Sequence, residues 1–240
     1  MLKAIFVFGT AGAGKTTFCK NFKSEKDIML INLDPASKNL DMYDISITEY
    51  ISLEEVMQEF DFGPNGGLFE CLKYLEEIFF GEENDVSLSD DKIVVFDCPG
   101  QIELFIHSEL VPNFIRKFRQ TEGIDAMIAY VTDGTTLLDK EKFAMNNLMA
   151  AMSINRFCLP VLHLISKMDF LKNQKPEVEF VDEDGYICTE TWDTGLDKFD
   201  ETLKSLFEMF GFFNFVSINW EEKESVDFMM VHLDRILALS

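Results

Sequence analysis

A glycine-rich segment near the N-terminus has the residue types that bind phosphate. Residues 9–16 read GTAGAGKT and fit the pattern GxxxxGK[ST], between an apolar run and a helical pattern. Small residues let successive backbone N–H groups close around phosphate oxygens, and the following helix adds the positive end of its dipole. The predicted nucleotide-binding residues are Gly12, Ala13, Gly14, Lys15, Thr16 and Thr17. Lys15 would reach the β and γ phosphates and Thr16 would ligate Mg²⁺; an ordinary glycine turn with an exposed lysine is the alternative.

A second candidate is a strand-like run that ends in an acid. Residues 92–101 read KIVVFDCPGQ, which places Asp97 at the carboxyl end of a predicted central strand. A carboxylate there can hold a water of Mg²⁺, so we predict Asp97 as the second metal residue. Gly100 can offer its N–H to the γ-phosphate, which would make the segment sensitive to the nucleotide state. Taken alone, a strand-terminal aspartate is equally well explained as a turn former.

A third run predicts which base is bound. Residues 159–169 form an apolar strand that ends in Ser166, Lys167, Met168 and Asp169, the form [NTS]KxD. The carboxylate of Asp169 can accept hydrogen bonds from N1–H and the exocyclic amine of guanine, whereas adenine has no matching donor pair on that edge. The stem of Lys167 would pack along the base plane. We therefore predict GTP, with Ser217 as a further base-loop candidate or, alternatively, a cap.

These segments must be positioned by a sheet. Apolar runs suited to buried parallel strands alternate with helical patterns, which indicates right-handed crossovers and helices on both faces. The runs are Leu2 to Phe8, Ile28 to Leu33, Ile93 to Phe96, Ala126 to Val131, Val161 to Ile165 and Phe215 to Ile218. The predicted fold class is α/β, a three-layer P-loop NTPase with a mainly parallel central sheet.

The expected domain organisation is a single domain over residues 1–240. Residues 35–91 interrupt the alternation, and we predict a helical insertion there with helices at 53–60 and 68–80 around a GPNGG turn. The polar stretch 172–194 is predicted as a surface insertion.

Charge and cysteine content exclude several classes of function. Forty-three acidic and 21 basic residues give a formal charge of −22, which would repel nucleic acid and anionic lipid. Five widely spaced cysteines without a CxxC pair indicate reduced thiols in a cytosolic protein. The apolar runs fall well short of the roughly 20 residues needed to cross a bilayer. We expect a soluble, cytoplasmic protein that binds neither nucleic acid nor membrane directly.

Four motifs in order behind the phosphate loop resemble those of the GPN-loop GTPases over nearly the whole chain. They are INLDPA at 31–36, GPNGG at 63–67, DCPGQIE at 97–103 and SKMD at 166–169. The chain looks most like the two shorter eukaryotic paralogues. The resemblance implies a SIMIBI-class fold, slow GTP hydrolysis, and a homodimer or a heterodimer with a GPN-loop paralogue. It also implies a role in RNA polymerase II assembly and nuclear import, with polymerase II subunits as partners and shuttling to the nucleus.

The resemblance also implies the catalytic residues. Asp34 would position or deprotonate the attacking water, with Gln101 and Glu103 nearby, and Asn65 would act in trans in the nucleotide site of a partner subunit. Asp34 ends the strand that follows the phosphate-loop helix, so it can face the γ-phosphate. Without the resemblance, an Asp-Pro turn and an ordinary helix-to-helix turn would explain Asp34 and Asn65. Ser37 stands where the family often has alanine.

Two rival functions remain open from the residues. A P-loop kinase for a small molecule shares the loop and the sheet, but the SKMD strand and the Pro-Gly-Gln segment argue against it. A GTP-dependent dimeric assembly factor with little hydrolysis is opposed by the presence of Lys15, Asp34 and Gln101. Phosphate release without an acceptor separates the first rival from a GTPase, and single-turnover hydrolysis separates the second.

Overall fold

The chain is divided into two compact units. A computed structural model describes residues 2–38, 40–81, 86–88, 91–101, 104, 107–171, 186–187, 201, 205 and 215–239. Within these limits the first unit comprises residues 2–11 and 15–128, and the second comprises residues 12–14 and 129–239. The single domain over residues 1–240 stays a prediction.

The first unit is built on parallel strands. Its strands are β1 (Lys3–Phe8), β2 (Ile28–Asn32), β3 (Ile45–Ser46) and β4 (Ile93–Asp97), in the order β3-β2-β4-β1. Both β1 and β2 pair with β4 in parallel, and Asp97 is in register with Val7 on one side and Asn32 on the other. Strand β5 (Asp125–Asp133) begins in this unit, where the Asp125 N–H donates to the Leu2 carbonyl at 3.1 Å. The carboxyl end of β4 is thus held centrally among the strands of this unit.

Phenylalanine side chains fill the core of the first unit. The rings of Phe6 on β1 and Phe96 on β4 stack with centroids 4.6 Å apart, and Phe118 meets Phe96 edge-on at 5.1 Å. Phe118 lies on helix α5 (Leu110–Glu122). The helices before it in this unit are α1 (Lys15–Glu25), α2 (Leu53–Glu59), α3 (Pro64–Lys73) and α4 (Leu75–Phe80). Burying such rings supplies a large part of the hydrophobic stabilisation that fixes β4.

The insertion at residues 35–91 differs in detail from the expectation. Its described part contains β3, a short 3-10 helix at Ile47–Glu49 and three helices, α2 to α4, where two helices were expected. The helix expected to begin at residue 68 begins at Pro64, with Gly63 as its N-cap, and it ends at Lys73. Proline is favoured in the first turn because its missing N–H would have no helical partner there. The GPN motif is therefore the start of a helix and not a turn between helices.

The second unit continues the sheet pattern. Strands β6 (Val161–Ser166) and β8 (Phe215–Ser217) pair in parallel, and β7 (Tyr186–Ile187) pairs with β8 in the antiparallel sense. The strand order is β5-β6-β8-β7. Its described helices include α6 (Lys140–Phe157) and α7 (Lys223–Leu239), with 3-10 helices at Gly134–Leu138 and Met168–Leu171. Apart from β7, the predicted surface insertion at 172–194 lies outside the described residues.

The predicted α/β fold class is confirmed. Strands β1, β2, β4 and β6 are largely buried, as parallel strands are when helices cover both faces. The antiparallel β7 is an addition at one edge that the sequence did not indicate. Among the described helices, none has both the length and the apolar character needed to cross a bilayer.

Candidate nucleotide-binding site

The phosphate loop has the backbone geometry that its glycines permit. Gly12 and Gly14 have φ angles of 76° and 95°, in the left-handed region that favours glycine. Helix α1 begins directly afterwards at Lys15. The N–H groups of its first turn have no partner within the helix, so the loop ends at a site suited to an anion. Thr17 lies in this first turn and is exposed.

Lys15 is buried against its own loop. Its side chain is 8% exposed, and Nζ donates to the Thr10 carbonyl at 3.2 Å. Burial lowers the pKa of the Lys15 ammonium, while the nearby carboxylates of Asp97 and Asp34 act in the opposite direction. Both acids therefore favour the charged form of Lys15.

Asp97 and Thr16 meet directly. Thr16 Oγ1 donates to Asp97 Oδ2 at 2.9 Å, and Asp97 is only 2% exposed. Burial raises the pKa of Asp97, although hydrogen bonds from Tyr43 and Thr16 and the charge of Lys15 oppose the shift. A hydroxyl and a carboxylate in direct contact offer oxygen ligands of the kind that Mg²⁺ takes. The two predicted metal residues therefore fit this cation.

Gly100 lies in contact with the phosphate loop. A methyl group built on its Cα would lie 2.6 Å from Lys15 Nζ and 3.0 Å from Ala11 Cα, so a larger residue would require the loop to move. Gln101 follows it, half-buried, and its carbonyl accepts from the Leu104 N–H at 3.2 Å. Glu103, the third catalytic candidate of this segment, lies outside the described residues.

Asp34 forms a turn, and its charge acts on Lys15. Its Oδ1 accepts from the Ala36 N–H at 2.9 Å, and its own N–H donates to Asn32 Oδ1 at 3.0 Å. These bonds match the Asp-Pro turn that the residues alone suggested. The charge of Asp34 also acts to raise the pKa of Lys15 in the phosphate loop. Its catalytic role stays a prediction.

Asn65 is exposed in the first turn of α3. Gly63 and Pro64 are exposed beside it. One face of α3 is buried, through Gly67, Leu68, Cys71 and Leu72, and the helix contacts α2. The GPN motif is thus exposed at the start of a helix that is packed along one face. A role for Asn65 in a partner subunit stays a prediction.

Ser166 connects the end of β6 to the phosphate loop within the second unit. Its hydroxyl lies 2.6 Å from the Ala13 carbonyl and 3.2 Å from the Thr132 carbonyl, and the side chain is 7% exposed. A methyl group on Gly14 would lie 3.4 Å from Ser166 Oγ. The predicted base strand and residues 12–14 of the phosphate loop are therefore in direct contact.

Lys167 is held by a residue that the sequence argument missed. Its Nζ lies 2.6 Å from Asp133 Oδ2, and Lys167 has a φ of 58°, unusual for a residue with a side chain. Burial raises the pKa of Asp133, but bonds from Lys167 and Thr135 outweigh it, so the pKa lies below its ordinary value. Asp133 ends β5, 34 residues before Lys167, and no spacing rule connects the two.

Asp169 follows strand β6, and Ser217 ends β8, the strand that pairs with β6. Asp169 is exposed in the first turn of the 3-10 helix that follows β6. Ser217 ends β8 in register with Ile165, and its carbonyl accepts from Ser225 Oγ at 3.2 Å. The strand pairing brings Ser217 beside the end of β6. Its side-chain role stays a prediction.

Tyr43 is a second residue that the sequence argument missed. Its phenol donates to Asp97 Oδ2 at 2.7 Å across 54 residues of sequence. Burial raises the pKa of Tyr43, the carboxylate of Asp97 raises it further, and the Ser37 hydroxyl acts against both. Ser37, which departs from the family pattern, therefore acts on a residue that contacts the predicted metal site.

Comparison with known proteins identifies the relatives of the chain. A family model described as "Conserved hypothetical ATP binding protein" matches residues 7–239. GPN-loop GTPase 3 of Saccharomyces cerevisiae is 30% identical, with 97% of this chain and 91% of that protein covered. GPN-loop GTPase 3 of Schizosaccharomyces pombe is 32% identical, with 96% and 89% covered.

A solved structure supports the fold. The crystal structure of a GTPase from Pyrococcus abyssi in its apo form matches with a TM-score of 0.69 at 22% identity, covering 97% of this chain and 96% of that one. At this identity the likeness shows a common fold. The near full-length match to the yeast proteins shows that the chain belongs to the GPN-loop GTPase family.

Proposed function

We propose that this protein binds GTP with Mg²⁺ and hydrolyses it to GDP and phosphate. The observation that carries the proposal is the 2.9 Å hydrogen bond between Thr16 and Asp97 beside the buried Lys15. It joins the start of the phosphate-loop helix to the acid that ends β4, the pairing that P-loop nucleotide hydrolases use around Mg²⁺. The names of the yeast relatives, as GTPases, support the same activity.

The preference for guanine rests on the segment after β6. Ser166 ties this segment to the Ala13 carbonyl, and Asp169 is exposed in the turn that follows. An exposed carboxylate can accept the two donors on the guanine edge, and losing such charged hydrogen bonds costs about 1.5–3 kcal/mol each. The family model's description names ATP instead, so the choice between the two bases must be tested directly.

The hydrolysis step divides its tasks among residues of this chain. Thr16 and Asp97 would hold Mg²⁺, which on binding neutralises charge on the β and γ phosphates. Lys15 and the loop N–H groups bind the phosphate oxygens. Asp34 orients the attacking water and accepts a proton from it as its oxygen bonds to the γ-phosphorus and the bond to the β-phosphate oxygen breaks. GDP leaves with the electron pair of that bond.

We extend the proposal to a dimer in which Asn65 acts in trans. The motif is exposed at the start of α3, where Pro64 fixes the backbone and the Asn65 amide can donate to a phosphate oxygen. The helix that carries the exposed motif, α3, is held by its packing against α2. The partner is a second copy of the chain or a GPN-loop paralogue.

The cellular role that the resemblance implies is assembly and nuclear import of RNA polymerase II. The support is the similarity to GPN-loop GTPases over nearly the full chain. Shuttling between cytoplasm and nucleus follows from that role. Co-purification of polymerase II subunits with the wild-type protein, and their loss with Lys15→Ala, is the expected outcome. Equal recovery with both proteins would separate that role from nucleotide binding.

Calorimetric titration with GTP and ATP tests the binding proposal. With Mg²⁺ we expect micromolar or tighter binding of GTP and much weaker binding of ATP, and we expect EDTA to weaken the binding of GTP. Lys15→Ala should abolish binding or nearly so, because it removes the cation at the phosphates. Equal GTP binding by Lys15→Ala would contradict the proposed phosphate site.

Acceptor-free phosphate release separates the rivals. A small-molecule kinase releases little phosphate until its acceptor is added, whereas a GTPase releases it from GTP and water alone. A dimeric assembly factor with little hydrolysis would bind GTP without releasing phosphate even in a single turnover. Release that depends on GTP and Mg²⁺ in a single turnover is the outcome that we expect.

A further inference from the structure

Tyr43, in the chain between β2 and β3, reaches the predicted metal site through its side chain. Tyr43 Oη donates to Asp97 Oδ2 at 2.7 Å, and Thr16 Oγ1 donates to the same oxygen at 2.9 Å. A carboxylate oxygen has two lone-pair positions, so these two hydroxyls fill those of Oδ2. Oδ1 is then the oxygen of Asp97 that can accept from a metal-bound water.

The position of Tyr43 is set by residues on both sides of it. Lys23 Nζ on α1 donates to the Met42 carbonyl at 2.9 Å and to Asp44 Oδ2 at 2.8 Å. Asp44 Oδ2 also accepts from the Leu30 N–H on β2 at 2.7 Å. Helix α1 and strand β2 therefore fix the backbone before and after the tyrosine.

The same helix carries both ends of this arrangement. α1 begins with Lys15 and Thr16 at the phosphate loop and carries Lys23 two turns later. A shift of α1 would move Thr16 and, through Lys23, the backbone that holds Tyr43. Both donors to Asp97 therefore depend on α1, although they lie far apart in the sequence.

We propose that Tyr43 is a positioning residue for Mg²⁺. Its hydroxyl holds the Asp97 carboxylate through Oδ2, so that Oδ1 would be the oxygen that accepts from a metal-bound water, and Lys23 holds the backbone on both sides of Tyr43. The inference rests on the proposed Mg²⁺-dependent binding of GTP and adds to it a residue outside the four family motifs. Tyr43 touches neither nucleotide nor metal in this account and acts through Asp97.

The test measures how Mg²⁺ strengthens nucleotide binding. The affinity for fluorescent methylanthraniloyl-GTP is followed at increasing free Mg²⁺, and separately in EDTA, for wild type, Tyr43→Phe, Lys23→Met and Tyr74→Phe. Tyr74 is the matched control because it is a partly exposed tyrosine at the end of α3. Tyr43→Phe removes one oxygen and keeps the ring, so it disturbs packing little.

The expected result is selective for the metal. In EDTA all four proteins should bind the nucleotide alike. Tyr43→Phe should raise the half-saturating Mg²⁺ concentration by about three- to thirtyfold, as for the loss of a hydrogen bond to a charged group. Lys23→Met should raise it by a smaller factor, and Tyr74→Phe should leave it unchanged.

Three outcomes would overturn the inference. If Tyr43→Phe has the half-saturating Mg²⁺ concentration of the wild type, Tyr43 does not position Asp97. If it weakens binding equally in EDTA and in Mg²⁺, the residue has only a structural role. If Mg²⁺ fails to strengthen nucleotide binding by the wild-type protein, the proposed metal site fails and the inference fails with it. If the wild-type protein responds to Mg²⁺ and Tyr43→Phe responds in the same way, only the inference fails, so the two failures are distinguishable.

Discussion

Removing one hydroxyl should loosen the base strand from the phosphate loop. In Ser166→Ala the bond from Ser166 Oγ to the Ala13 carbonyl, 2.6 Å long and buried, is lost. The net contribution of such a bond is about 0.5–1.5 kcal/mol, and leaving a buried acceptor unsatisfied costs about 1–3 kcal/mol. We therefore expect Ser166→Ala to lower the free energy of unfolding by about 2 kcal/mol, which corresponds to a melting temperature lower by about 4–8 °C.

Nucleotide binding should weaken as well, because Ala13 belongs to the phosphate loop. The loss of affinity for GTP should lie between about threefold and thirtyfold, with the upper limit set by the same 2 kcal/mol. Ser24→Ala is the matched control, since Ser24 is exposed on α1 and its hydroxyl makes an ordinary bond to the Lys20 carbonyl at 3.2 Å. It should change stability by less than about 0.5 kcal/mol.

Urea unfolding and calorimetric titration with GTP provide the measurements. The reasoning is refuted if Ser166→Ala unfolds and binds GTP as Ser24→Ala does. Lower stability with unchanged affinity would refute the second half of the argument, that Ser166 organises the phosphate loop for binding.

Two further predictions concern charge and assembly. Asp133→Asn should lower the free energy of unfolding at pH 7 by less than about 1 kcal/mol, because its pair with Lys167 is partly exposed. The pKa of Asp133 is lowered in the folded state, so this loss of stability should persist at neutral pH and shrink as pH falls through the lowered pKa. Urea titrations that show a larger loss of stability at lower pH would contradict this. Asn65→Ala should slow hydrolysis with little loss of nucleotide affinity, and mixing it with Lys15→Ala should restore activity in mixed dimers; an unchanged rate in protein that is dimeric by light scattering would contradict action in trans.

The sheet could be predicted from the sequence because parallel strands that are buried on both faces consist of continuous apolar residues, which are visible as runs. The runs at 93–96 and 161–165 differ from β4 and β6 by one residue at the carboxyl end. Strands β3 and β7 were missed because each has only two residues, too few for any periodic signal.

The phosphate segments could be predicted because they are continuous in sequence, whereas the residues that support them are not. Gly100 lies against the loop, and Thr16 donates a hydrogen bond to Asp97, so the segments that the motifs mark lie together. Tyr43 contacts Asp97 across 54 residues of sequence, and Asp133 contacts Lys167 across 34. The sequence around Tyr43 and around Asp133 carries no motif. The helical start at Pro64 could have been predicted, since proline after a glycine N-cap is a known beginning of a helix.

Exchange of base specificity in a single-turnover assay tests the central claim most directly. Phosphate release from GTP, xanthosine triphosphate and ATP is measured with Mg²⁺ for the wild type and for Asp169→Asn. The account predicts release from GTP by the wild type and a shift toward xanthosine triphosphate in the variant, because an amide donor replaces one of the two acceptors facing the base. Release from ATP as fast as from GTP by the wild type, or an unchanged preference in Asp169→Asn, would contradict it.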